Sequence, residues 1–180
     1  MKYVLLLSAV FLVAATISDR EIRWSNRPLS WDDFKQVSRN GTSFKAQTYS
    51  GIRYSLKDNN GKVYIDVEAY FDQEESWVVR GSNTGYLLNH EQLHFDITEL
   101  FARKLRAELM DYQGMSASDF RSNRTWRVAN EAHDRLYNEM VAMQNLYDEE
   151  TDHSLRKKEQ AYWESKIVNE LDQLIEFSSP

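Results

Sequence analysis

Two histidines four residues apart, with a glutamate directly after the first, occur at His90-Glu91-Gln92-Leu93-His94. Residues at that spacing share one face of a helix, a turn apart, so two imidazoles can reach one ion. The glutamate then stands beside the open coordination position, where it can take a proton from water on the metal. The pattern predicts a metal centre with His90 and His94 as ligands and Glu91 as general base.

The flanking residues support a helix. Stepping about 100° per residue places Gln92, Asp96, Glu99, Arg103 and Arg106 within about 40° of one another. They read as a polar, solvent-facing stripe, with Glu99 and Arg103 set for an i,i+4 ion pair. The opposite face carries His90, His94, Ile97, Phe101 and Leu105, so both histidines point inward.

The rest of the chain must position this helix. One hundred and eighty residues fit one domain, with 13% aromatic residues and two prolines. A net charge of −6 argues against nucleic acid as a partner. Residues 1–18 read as an export signal: Lys2, then an apolar run from Tyr3 to Ala15, too short for a stable membrane span. The mature chain is then 19–180, exported to periplasm or medium. There is no cysteine, so a metal site must use histidine and carboxylate.

Ser30 and Asp33 form a capping-box pattern that starts a short helix at Trp31. Residues 46–80 switch to a two-residue period. Ile52, Tyr54 and Leu56 alternate with polar residues, as do Val63, Ile65, Val67, Ala69 and Phe71, on either side of Asn60-Gly61. Asn-Gly between alternating runs predicts a hairpin, and Trp77-Val78-Val79 suggests a third strand. The metal helix runs to about Met110. A second helix is expected from about Asp119 to Tyr147, with Trp126, Ala129, His133, Leu136, Met140, Met143 and Tyr147 on its apolar face. A third runs from about Ser154 to Phe177, with Trp163, Ile167, Leu171 and Leu174 inward. Sheet first and helices after give an α+β fold with an antiparallel sheet and three long helices.

Catalytic zinc takes three protein ligands. Asp96 lies about 160° around the helix from His94 and is excluded. Glu131 lies about 160° from His133 and the apolar face of the second helix. His133 reads as a hydrogen-bonded core residue. His153, in the acidic junction Asp148-Glu149-Glu150-Thr151-Asp152-His153, reads equally as a ligand or as a helix-start residue.

The chain resembles the bacterial family of predicted secreted zinc-dependent proteases. The matching pieces are Leu29-Ser30-Trp31-Asp32-Asp33-Phe34, Ser76-Trp77-Val78, Leu87 through Glu99, Tyr147-Asp148-x-x-Thr151-x-His153 and Gln160-x-x-Trp163. The resemblance implies a zincin-like fold, His153 as third ligand beside His90 and His94, and Glu91 as base. Ser154 departs from it, because the family often has glycine there.

The expected activity is that of a secreted zinc (Zn2+) metallopeptidase acting on a peptide or protein substrate. Pairing of an extended peptide along Trp77–Arg80 is the expected substrate contact, and Tyr147 and Tyr162 are candidate oxyanion donors. The alternative is a non-catalytic exported envelope protein with a structural metal, closed by a fourth ligand from Asp148 or Asp152, or with none.

Overall fold

A computed structural model describes residues 20–25, 27–38, 44–122 and 125–179. The expected export signal, residues 1–18, lies outside them. The fold is α+β, with two small sheets followed by helices, of which three are long.

The first sheet has the order β1–β5–β4 and is antiparallel throughout (β1 Glu21–Arg23, β4 Ser50–Asn59, β5 Lys62–Asp72). Asn60 and Gly61 both take positive φ, 55° and 79°. That is the twist a two-residue hairpin turn needs, and it fixes the register with Asn59 opposite Lys62. The two-residue period then sends Val63, Ile65, Val67, Ala69 and Phe71 into the core, while Tyr64 stays exposed. The Ser30–Asp33 box also forms: the Asp33 carboxylate accepts from Ser30 N at 2.7 Å and opens a single 3-10 turn, Trp31–Asp33.

Trp77–Val79 (β6) does not extend that sheet. It lies in the middle of a second one, between β2 (Gln36–Ser38, parallel) and β3 (Ala46–Gln47, antiparallel). Both of its edges are therefore paired, and among the described residues β3 is the end strand on the side of the helix that carries His90 and His94. Nothing in β6 itself signals this, because its partners come from 30 to 41 residues upstream.

The long helix α1 (Gly85–Leu109) packs on the first sheet and is the centre of the molecule. Fifteen of its 25 residues are buried, a coverage that a surface helix with one apolar stripe does not reach. The stripe expected to face solvent is instead covered by other parts of the chain. Gln92 Oε1 accepts from Leu29 N at 2.7 Å, and Asp96 accepts from Trp24 Nε1 at 2.7 Å. Glu99 is fully buried and pairs with Arg103 Nε at 3.0 Å and Arg106 Nη1 at 2.9 Å. Those guanidinium groups also cap carbonyls of Leu171, Val67 and Phe177. The polar stripe is thus a buried network to which strand β5 and the C-terminal segment are fastened.

The second predicted helix is two: a short α2 (Ala117–Ser122) and a long α3 (Thr125–Thr151). Ala129, Leu136, Met140 and Tyr147 face the core as the spacing requires. Trp126 does not: it is 51% exposed, and Thr125 is buried beside it. In α4 (Lys157–Gln173), Trp163, Ile167 and Leu171 are buried. One apolar cluster joins the first sheet, α1, α3 and α4.

Glu99→Ala would leave two guanidinium groups without their carboxylate in the interior. Breaking a buried pair in this way costs about 3–5 kcal/mol. Chemical denaturation should register that loss; a change under about 1 kcal/mol would mean that the network behaves like a surface pair.

Candidate metal centre

The site sits where the second turn of α1 meets the last turn of α3. Helix α1 starts at Thr84, whose hydroxyl accepts from Leu87 N at 3.1 Å, so His90 and His94 follow at fixed rotation. All three residues of the motif are buried: His90 and Glu91 are 2% exposed and His94 7%. Their partner is Asp148, near the end of α3. Its Oδ1 lies 3.1 Å from His90 Nε2 and 3.1 Å from His94 Nε2.

These three donor atoms all lie within 4.8 Å of one another. A tetrahedral site with bonds of about 2.0–2.1 Å has ligand–ligand separations of about 3.3–3.4 Å, close to the two observed contacts. The hydrogen bonding points the same way. His94 faces an oxygen on both sides, Asp148 at Nε2 and Gln144 Oε1 at Nδ1, 3.1 Å away. A neutral imidazole has one N–H and cannot satisfy both. Either a second proton or a cation shared with Asp148 is required, so the donor set fits a divalent metal. The C-terminal end of α3, with its partial negative charge, adds to that preference.

The electrostatics are those of a buried charge cluster. Burial pushes Asp148 upward, but hydrogen bonds and charge from His90 and His94 outweigh it and hold its carboxyl well below the usual range. Burial works against the protonated His94, and Asp148 outweighs it, so the ring is raised. His90 is lowered, mainly by burial. Burial raises Glu91 to about 7, against His94 and a hydrogen bond from Thr48 Oγ1 to Oε2 at 2.9 Å.

His153 comes to the same place by a different route. Its Nδ1 is 3.3 Å from Asp148 Oδ1, outside the group of mutually close donors. Its ring packs 5.1 Å from that of Phe44, which stands beside Trp77. The backbone here is unusual: Asp152, His153 and Ser154 all have positive φ, of 49°, 49° and 74°. The turn is tied by His153 N to Asp148 O at 3.0 Å and Arg156 N to Thr151 O at 2.8 Å. Ser154, the departure from the glycine of the resembled family, thus holds a glycine-type conformation.

His90, Glu91, His94, Asp148 and His153 all line one cleft of about 240 Å³, walled on the other side by Phe44 and the β3 segment Lys45–Thr48. Glu131 is exposed and faces Arg127. His133 is half-buried and bonds Ile52 O at 3.2 Å. The Tyr147 hydroxyl is buried and directed at His90 O, 3.4 Å away, and Tyr162 is exposed. The sequence offered Asp148 only beside Asp152, as a fourth ligand of a structural site, and as one position of the family resemblance; the fold brings Asp148, not Asp152, to the two histidines. Gln144 and Thr48 carried no signal at all.

The family model described as "Bacterial protein of unknown function (DUF922)" matches residues 35–154, which span the second sheet, the metal helix and the Asp148–His153 turn. No curated protein and no solved structure matches the chain.

Added divalent metal should stabilise the protein by about 2.7 kcal/mol at a free concentration of 100 Kd, read as a rise in Tm. His94→Ala should abolish the rise. Ser154→Gly should add about 1 kcal/mol by relieving a left-handed residue, measured in the metal-free protein; a loss of stability would show that the turn is not strained at Ser154.

Proposed function

We propose that this chain, which belongs to the bacterial family of unknown function DUF922, is a secreted zinc metallopeptidase. The observation that carries the reading is the meeting of two imidazoles and a carboxylate at the wall of an open cleft, with a second, buried carboxylate from the same helical turn beside them. A structural site has no use for Glu91 and does not need a cleft.

His90 Nε2, His94 Nε2 and Asp148 Oδ1 are the proposed zinc ligands. Two imidazoles and a carboxylate suit a four-coordinate ion that keeps a place for water or substrate. Bound zinc would supply Lewis acidity, polarising a carbonyl and making water easier to deprotonate. Glu91 accepts the proton of the attacking water and passes it to the leaving amine. Its burial suits it to both steps, because a carboxyl raised to about 7 is a usable base and a usable acid near neutral pH. The Thr48 hydroxyl holds Oε2 and so fixes the direction of the carboxylate.

Strand β3 is the end strand of its sheet and borders the cleft. A substrate peptide in extended form would pair with Ala46–Gln47, which replaces the Trp77–Arg80 edge as the substrate contact. Export is supported by the sequence of residues 1–18. Among the described residues no helix is long and apolar enough to cross a membrane.

Two variants decide the third ligand. Asp148→Asn should weaken zinc binding by at least about 100-fold and His153→Ala by about 10-fold or less, measured by chelator competition; the reverse order would return the third position to His153, which the family resemblance implies. Glu91→Gln should keep zinc and lower kcat on a cleaved peptide by about a thousandfold or more, or ~4 kcal/mol. Retained turnover would end the proposed mechanism.

A further inference from the structure

Two buried polar atoms next to the metal centre have no hydrogen-bond partner: His90 Nδ1 and Gln160 Oε1. Gln160 is fully buried on α4, beyond the stretch that the family model covers. It lies beside this turn of α1, because Glu164, its bonded neighbour on α4, also bonds Asn89, the residue before His90. The orientation of its amide is settled from the far side. Gln160 Nε2 donates to Glu164 Oε1 at 3.1 Å, and the same oxygen accepts from Asn89 Nδ2 at 2.5 Å. The amide nitrogen is therefore committed, and the oxygen is the end left for His90.

At His94 the corresponding contact is made, from another helix. Gln144 on α3 gives its nitrogen to Thr98 Oγ1 at 3.2 Å and turns its oxygen to His94 Nδ1 at 3.1 Å. Gln144 thus presents to His94 Nδ1 an amide oxygen, which can only accept, and the unpartnered oxygen of Gln160 is the matching acceptor for the unpartnered His90 Nδ1. With the hydrogens on the Nδ1 atoms, a neutral ring leaves its lone pair at Nε2. Those lone pairs face Asp148 Oδ1, a third acceptor, at 3.1 Å each. Three converging lone pairs repel one another unless a second proton or a cation lies among them.

We propose that Gln160 is a positioning residue of the metal centre: its side-chain oxygen takes the Nδ1 hydrogen of His90, fixes the tautomer that presents Nε2, and with Gln144 makes the pair of imidazoles ready for a cation. The inference rests on the metal site proposed above and adds α4 to it. A metal-bound histidine is ordinarily held by a hydrogen bond from its other nitrogen, and loss of that partner lowers metal affinity about 10–100-fold. Helix α4 then does more than bury Trp163 and Ile167; its docking and metal binding are coupled through one amide.

The test is Zn2+ affinity of the full mature chain, by chelator competition, for the original protein, Gln160→Met and the double variant Gln160→Glu/Glu164→Gln. Methionine keeps the volume and removes the acceptor, so its affinity should fall about 10–100-fold. The double variant exchanges donor and acceptor between the two residues and keeps an acceptor beside His90, so its affinity should remain within about threefold of the original. If Gln160→Met does not fold, nitrogen-15 spectra of the zinc-loaded original protein decide: His90 should show a protonated Nδ1 and a coordinated Nε2. Unchanged affinity in Gln160→Met, or coordination through Nδ1, overturns the inference and leaves the peptidase reading standing. Absence of Zn2+ binding by the original protein overturns both.

Discussion

The contact between Asp148 Oδ1 and the two Nε2 atoms of His90 and His94 sets the terms for the rest of the molecule. A carboxylate drawn into a largely buried position costs several kcal/mol of solvation unless opposite charge or hydrogen bonds meet it. The two imidazoles meet it, but only if the last turn of α3 lies across the second turn of α1. That crossing is reinforced by packing. The Tyr147 ring stacks on His90 at 4.6 Å and meets His94 edge-on at 5.0 Å, so the residue beside Asp148 fills the space behind both imidazoles. Packing and charge therefore specify one arrangement of the two helices.

Helix α1 is unusual in burying polar groups along its whole length. Its first half holds His90, Glu91 and His94, and its second half holds Glu99, Arg103 and Arg106. Each group is matched by something distant in the chain: Thr48 for Glu91, Trp24 for Asp96, Leu171 O for Arg103, Val67 O and Phe177 O for Arg106. With no cysteine in the chain, these matched groups do part of the fastening that a disulfide does elsewhere. They also hold α1 against rotation, which a site with two ligands on one helix demands. Rotation by one residue, about 100°, would carry both imidazoles away from Asp148.

Several elements were legible because their cause is local. The hairpin follows from alternation on each side of Asn60-Gly61, and the inward faces of α3 and α4 follow from apolar spacing. Trp126 breaks that rule because it stands in the first turn of α3, where Thr125 is the residue covered. The polar stripe of α1 misled for a related reason. Periodicity shows which residues share a face, whereas what covers that face comes from Trp24, Leu29, β5 and the C-terminal segment. Strand β6 has strand chemistry, but its place in the middle of a second sheet depends on pairing with β2 and β3.

His90, Glu91 and His94 were determined by the sequence alone, because a spacing of one helical turn needs no other part of the chain to bring the residues together. The hairpin and the α+β order were determined in the same way. Only the tertiary structure decided what faces the two histidines. Asp148, Gln144, Gln160 and Thr48 lie on other elements; Gln144 and Thr48 carry no signal in the sequence, and Asp148 and Gln160 gain a role only when the fold aims them. The left-handed turn at Asp152–Ser154 belongs to that second group as well. Three non-glycine residues there hold a conformation that local preference disfavours, against which the surrounding contacts must work.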